Sequence, residues 1–156
     1  MSTATAAIIP RYAVTSSGEY IWDIIKWQAG ESHGAPTAPT TGWYDFNISA
    51  PEYRTGATLI PAFFAHCSGT ADGQPLGSEY SNCDLEKADE SANVAVLARV
   101  LPDPDLTQAH IAISYLFSAN YEPRTKHNYT VVIVEDWARE RPPHNFTTKP
   151  SKSRLG

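Results

Sequence analysis

Cys67 and Cys83 are the only cysteines in the chain, 16 positions apart, and their thiols are its most reactive side chains. They lack the paired C-x-x-C knuckles of a structural zinc site, so His66 next to Cys67 does not turn them into a metal centre. One local disulfide accounts for both sulfurs, and such bonds persist in oxidising, extracellular compartments. In the chain-entropy model a bridge closing a loop of this size contributes roughly 3 kcal/mol, a large share of a small domain's stability.

The remaining candidates for chemistry are scattered. His33, His66, His110, His127 and His144 form no H-E-x-x-H or H-x-H pattern and read as isolated strand or surface histidines. Asp84, Glu86, Asp89 and Glu90 lack the glycine and the terminal glutamate of a calcium loop, so they read as a solvated acidic face. Asp103 and Asp105 flank Pro104, and two carboxyls ~5 to 9 Å apart are what glycoside cleavage requires. A proline turn leaves such acids exposed, and a cell-wall glycan hydrolase is accordingly the last of three functional readings. There is no G-x-S-x-G elbow and no glycine-rich phosphate cradle. The expectation is a protein without catalysis, cofactor or metal.

Binding offers more. Tyr20, Trp22, Trp27, Trp43, Tyr44 and Phe46 form an aromatic set whose plain reading is strand and core. Trp22, Trp27 and Trp43 are the candidates from it for a ligand or partner face, because tryptophan supplies a rigid, amphipathic anchor. Three N-x-[ST] sequons, at Asn47, Asn128 and Asn145, are candidate glycosylation sites. Around Asn47 the alternation Tyr44, Phe46, Ile48 turns the aromatic and aliphatic side chains to one face and the asparagine to the other.

These residues must be positioned by strands. With 42% hydrophobic and 11% aromatic residues, 156 residues suffice for one domain with a real core. Twelve prolines, nine glycines and one methionine argue against long helices. Period-two patterning places strands near 19–27, 43–49, 57–67, 93–101, 109–117 and 128–135. Turn-rich spacers separate them at 30–41, 69–77 and 102–105. Val94, Val96, Ala98 and Val100 share one face, as do Ile111, Ile113, Tyr115 and Phe117. Val131 to Val134 are apolar on both faces, which predicts a central or covered strand. One short helical turn is expected over 84–91.

The predicted fold is all-β, a single antiparallel β-barrel or barrel-like sandwich with long loops. Residues 1–11 are expected to form a flexible N-terminus, 12–137 the barrel domain, and 138–156 a disordered, basic, proline-containing tail. No internal repeat is visible. The formal charge of -5 is uneven, since the last eighteen residues hold five cations and one carboxylate and the body is left at -9. An acidic body does not suit nucleic acid, where every phosphate contact needs a cation. No run approaches the ~20 apolar residues of a membrane span. Met1 to Pro10 lacks a basic n-region, and Ala6 to Ile9 is short for a leader core. The expectation is an exported protein whose leader has been removed and an initiator methionine supplied.

The stretch from Val14 to Ile24, V-T-S-S-G-E-Y-I-W-D-I, is followed by Gly42-Trp43-Tyr44-Asp45-Phe46-Asn47-Ile48, then Phe64-Ala65-His66-Cys67-Ser68 and Tyr80-Ser81-Asn82-Cys83. In order and spacing these pieces resemble the Alternaria major allergen family over residues 12–86. The resemblance implies a secreted fungal β-barrel known as an allergen and as an effector or elicitor in plant tissue, with Cys67 and Cys83 matching that family's disulfide. It implies a plant defence protein of the thaumatin-like class as partner, with a flavonoid-type aromatic carried in the barrel as the alternative. The chain departs from the family in having Tyr12 near the cysteine that bridges two subunits, and no cysteine over 118–134. A monomer or a non-covalent dimer is therefore expected.

Overall fold

A computed structural model describes residues 19–33, 40–56, 58–73, 77–88, 92–102, 108–137 and 143–153. Twelve strands follow in chain order: β1 Trp22–His33, β2 Thr40–Ala50, β3 Tyr53–Thr55, β4 Thr58–Ile60, β5 Phe63–Asp72 and β6 Ser81–Asn82. Then come β7 Asp84–Ala88, β8 Ala92–Val100, β9 Gln108–Ala119, β10 His127–Asp136, β11 His144–Thr148 and β12 Ser151–Ser153. They form two five-stranded antiparallel sheets, β12-β10-β9-β8-β6 and β11-β1-β2-β5-β7, beside a small β3-β4 hairpin. The fold is all-β as expected. It is the sandwich rather than a closed barrel, because the two ladders do not join into one continuous sheet.

Alternation explains which side chains fill the space between the sheets. Tyr44, Phe46 and Ile48 of β2 point inward with Ala65 and Cys67 of β5, facing Val96, Ala98, Ile111, Ile113 and Tyr115 of the other sheet. Rings make up much of this interior: Trp22 meets Phe63 and Tyr115 edge-on at 5.9 and 6.4 Å, and Phe63 lies 4.1 Å from Tyr115. Two hydroxyls reach across it. Tyr115 donates to the Pro61 carbonyl at 2.9 Å, and Tyr44 lies 3.4 Å from the Ala98 carbonyl. The Tyr44 ring covers Gly69, where an added Cβ would lie 2.5 Å from its hydroxyl oxygen, so a side chain there would displace the ring.

The sides of the sandwich are shut by two segments that change sheet. Ser81 and Asn82 pair with β8, and after Cys83 the chain pairs with β5 as β7. His144 to Thr148 pair with β1, and after Lys149 and Pro150 the chain pairs with β10 as β12. Over residues 144–148 and 151–153 the second segment is strand where a disordered tail was expected, while 138–142 and 154–156 lie outside the described residues. Edge strands need few apolar residues, and here Phe146 packs on Trp27 at 5.6 Å while Pro150 is buried.

Two further expectations change, and a third is met in one of its two forms. The helical turn over 84–91 is a strand as far as Ala88, because pairing with β5 outweighs the helix propensity of Leu, Glu, Lys and Ala. The strand expected over 57–67 breaks at Pro61, which has no N–H to give a ladder. The strand of Val131 to Val134 is central as expected, β10 lying between β9 and β12, while Val132 and Val134 are 48% and 44% exposed on its outer face. Valine is favoured there for its fit to a pleated surface. The N-terminus expected to be flexible, residues 1–11, lies outside the described residues.

Candidate binding groove and partner face

Trp22 and Trp27, candidates for a ligand or partner face, are 0% and 2% exposed. They belong to the core instead, because a bulge in β1 turns both inward. Ile25 pairs with Asn47 and Gln28 with Asp45, so Lys26 and Trp27 together stand opposite the single residue Phe46. Lys26 adopts φ of 54°, a left-handed conformation that costs a side-chain-bearing residue about 1 kcal/mol or more. Its N–H donates to Asn145 Oδ1 at 2.8 Å, which satisfies the donor that the bulge frees. Trp43 alone of the three reaches the surface, 41% exposed, with its indole flat over Gly30. An added Cβ at Gly30 would lie 2.9 Å from that ring, so glycine is what lets the tryptophan lie down.

Cys67 and Cys83 form the expected disulfide, at the point where the chain passes from β6 to β7. The Cys83 N–H also donates to the Val96 carbonyl at 2.8 Å, so this crossing is tied to both sheets. His66 pairs with Asp45 at 3.0 Å on the outer face of β5 and β2. His144 of β11 pairs with Glu135 of β10 at 3.1 Å, bridging the sheets on the opposite side. His127 stacks on Phe117 at 4.9 Å. Among the described residues no three His, Cys, Asp or Glu side chains converge as metal ligands. Asp84 and Glu86 are exposed along β7, whereas Asp89, Glu90, Asp103 and Asp105 lie outside the described residues.

Beneath the β3-β4 hairpin, Tyr20 packs against Trp22, Tyr53 and Tyr129. Burial pushes its hydroxyl well above the ordinary tyrosine range, and the nearby Trp22 ring N–H opposes this without reaching hydrogen-bond geometry. Burial raises Tyr129 as well. Two phenols are thereby held neutral in the core.

The site that sequence reasoning missed is a groove of about 630 Å³ on the outer face of the second sheet. Ile25, Ser49, Glu52, Phe64 and Lys87 are among its lining residues, with the 50–51 and 62–63 ends of the neighbouring strands beside them. Its size falls within the ~300 to 1,000 Å³ of small-molecule sites. Ladder registers build it: Ser49 stands opposite Phe64 in β2 and β5, and Phe64 opposite Lys87 in β5 and β7. Phe63 and Phe64 are adjacent, so one must point outward when the other points in. That doublet was the available signal. Chemically the groove presents an aromatic ring, aliphatic side chains, one hydroxyl, a cation and a carboxylate.

The sequons sit on three different strands: Asn47 in β2, Asn128 in β10 and Asn145 in β11. Comparison with protein-family models, curated proteins and solved structures gives no match for this chain. No helix among the described residues is long and apolar enough to cross a membrane.

Proposed function

We propose that this chain is a secreted, non-catalytic fungal effector of the allergen type that acts by binding a plant defence protein of the thaumatin-like class. The observation that carries the reading is the Cys67–Cys83 disulfide, which joins two of the motifs, F-A-H-C-S and Y-S-N-C, that carry the family resemblance. A bridge of this kind fits an oxidising, extracellular setting. Trp43, held flat on an outer face, is the aromatic anchor for a partner. The test is titration of the oxidised protein against a purified thaumatin-like protein. Saturable binding that Trp43→Ala weakens at least tenfold, about 1.4 kcal/mol, supports the reading. Absence of saturable binding across several such proteins sinks it.

The groove favours a second reading, carriage of a small flavonoid-like aromatic. It moves that ligand from a barrel interior, now filled with rings, to the outer face between Phe64 and Lys87. Stacking on Phe64 and attraction of a phenolate oxygen to the Lys87 ammonium are the interactions available. A flavonol panel should give saturable binding that Phe64→Ala abolishes. A response unchanged in that variant removes the groove as its site.

A further inference from the structure

We propose that Asn145 is an N-glycan attachment site built into this fold, its amide oxygen also serving as the strut that holds the Lys26 bulge, and that Asn128 remains unmodified. The inference rests on the extracellular reading above, because only a translocated chain meets the glycosylating machinery. N-glycosylation places the sugar on the amide nitrogen and leaves the carbonyl oxygen unchanged. At Asn145 these two ends of the carboxamide are separated by task. Oδ1 accepts the Lys26 N–H at 2.8 Å, and the planar amide therefore aims Nδ2 away from that contact. The residue is exposed, as is Thr147, the sequon hydroxyl on the same face two positions on.

Sheet position separates the sequons further. Asn145 lies on β11, whose one ladder partner among the described residues is β1. Asn128 is paired on both sides, with Leu116 in β9 and Ser153 in β12. Its Oδ1 accepts from the buried Ser114 hydroxyl at 2.6 Å, and the side chain is half-buried. A sugar at Asn128 would have to rise from a half-buried face, whereas Asn145 and its sequon threonine are both exposed. Edge strands expose unpaired backbone groups that recruit other chains, and a glycan in the middle of β11 would block that pairing.

The experiment expresses the full chain behind a heterologous leader in a eukaryotic secretory host, so that export is supplied and is not itself on trial. Peptide mass mapping before and after enzymatic deglycosylation then reads each site. Stoichiometric modification at Asn145 with an unmodified Asn128 is expected. An empty Asn145, or a modified Asn128 in folded, monodisperse protein, overturns the assignment. Two variants separate sugar from strut: Thr147→Ala abolishes the sequon and keeps the carbonyl, while Asn145→Ala removes both. Asn145→Ala should melt several degrees below Thr147→Ala, and coincident melting curves would overturn the strut. Protein from the native source isolates the remaining dependence. If it were retained inside the cell, its Asn145 would be bare while the leader-driven product carried sugar.

Discussion

The two crossings that close this sandwich perform the same topological task by different physical means. The segment of β6 and β7 passes between sheets under a covalent clamp, Cys67–Cys83, yet every residue of β6 and β7 is exposed. The segment of β11 and β12 has no such bond and is held by packing and polar contacts: Phe146 on Trp27, His144 with Glu135, Asn145 with the Lys26 N–H, and Lys149 with Glu19. A disulfide acts chiefly by restricting the unfolded chain, so it can secure a crossing that buries little. A crossing without one must find its own partners in the folded state. The difference predicts that reducing agent loosens one side and proline or cavity mutations the other.

The largest effect should come from the clamp. Cys67→Ala with Cys83→Ala should cost roughly 3 kcal/mol in urea unfolding, or about 10 °C in melting temperature. An unchanged midpoint would mean that the exposed crossing holds itself. Next, Phe146→Ala should cost about 2 kcal/mol, less than a full core deletion because the ring is partly buried, and should increase solvent quenching of Trp27 fluorescence. If the comparison holds, the two losses should add, since the crossings share no partner. Lys26→Gly goes the other way. Relief of the left-handed residue, less the entropy of glycine, should stabilise by about 0.5 kcal/mol.

Alkali sharpens the packed side. The Tyr20 hydroxyl is raised by burial, so the unfolded chain releases its proton first, near pH ~10, while the folded chain retains it. Stability from this group is therefore intact below pH ~10 and declines above it, and Tyr20→Phe should flatten that decline in pH-dependent urea titrations. The smallest effect belongs to Lys149→Ala, about 0.5 kcal/mol or less, because both partners of its 2.8 Å ion pair with Glu19 are solvent-exposed. A larger loss would place real strength in a surface contact.

What could be read in advance follows from how local each cause is. Alternation in Tyr44, Phe46 and Ile48, or in Ile111, Ile113 and Tyr115, is written within one strand, and those strands stand where it put them. The disulfide was legible from two lone cysteines. The crossing at His144 to Ser153 was not, because its strand character comes from β1 and β10 rather than from its own polar residues. Core was the plain reading of Trp22 and Trp27, but how residues of opposite parity reach one interior was illegible, since it depends on a bulge that spacing alone does not reveal. The groove needed two registers at once, and only the Phe63-Phe64 doublet hinted at it.

Lys26 sets a rule for how β1 can change. Trp22 and Ile24 occupy even positions and Trp27 and Ala29 odd ones, and all four serve a single interior because one surplus residue switches the parity between them. Replacing that residue leaves the count intact. Deleting it would restore unbroken alternation with all four side chains still inward, so this position should accept loss of its residue as well as substitution.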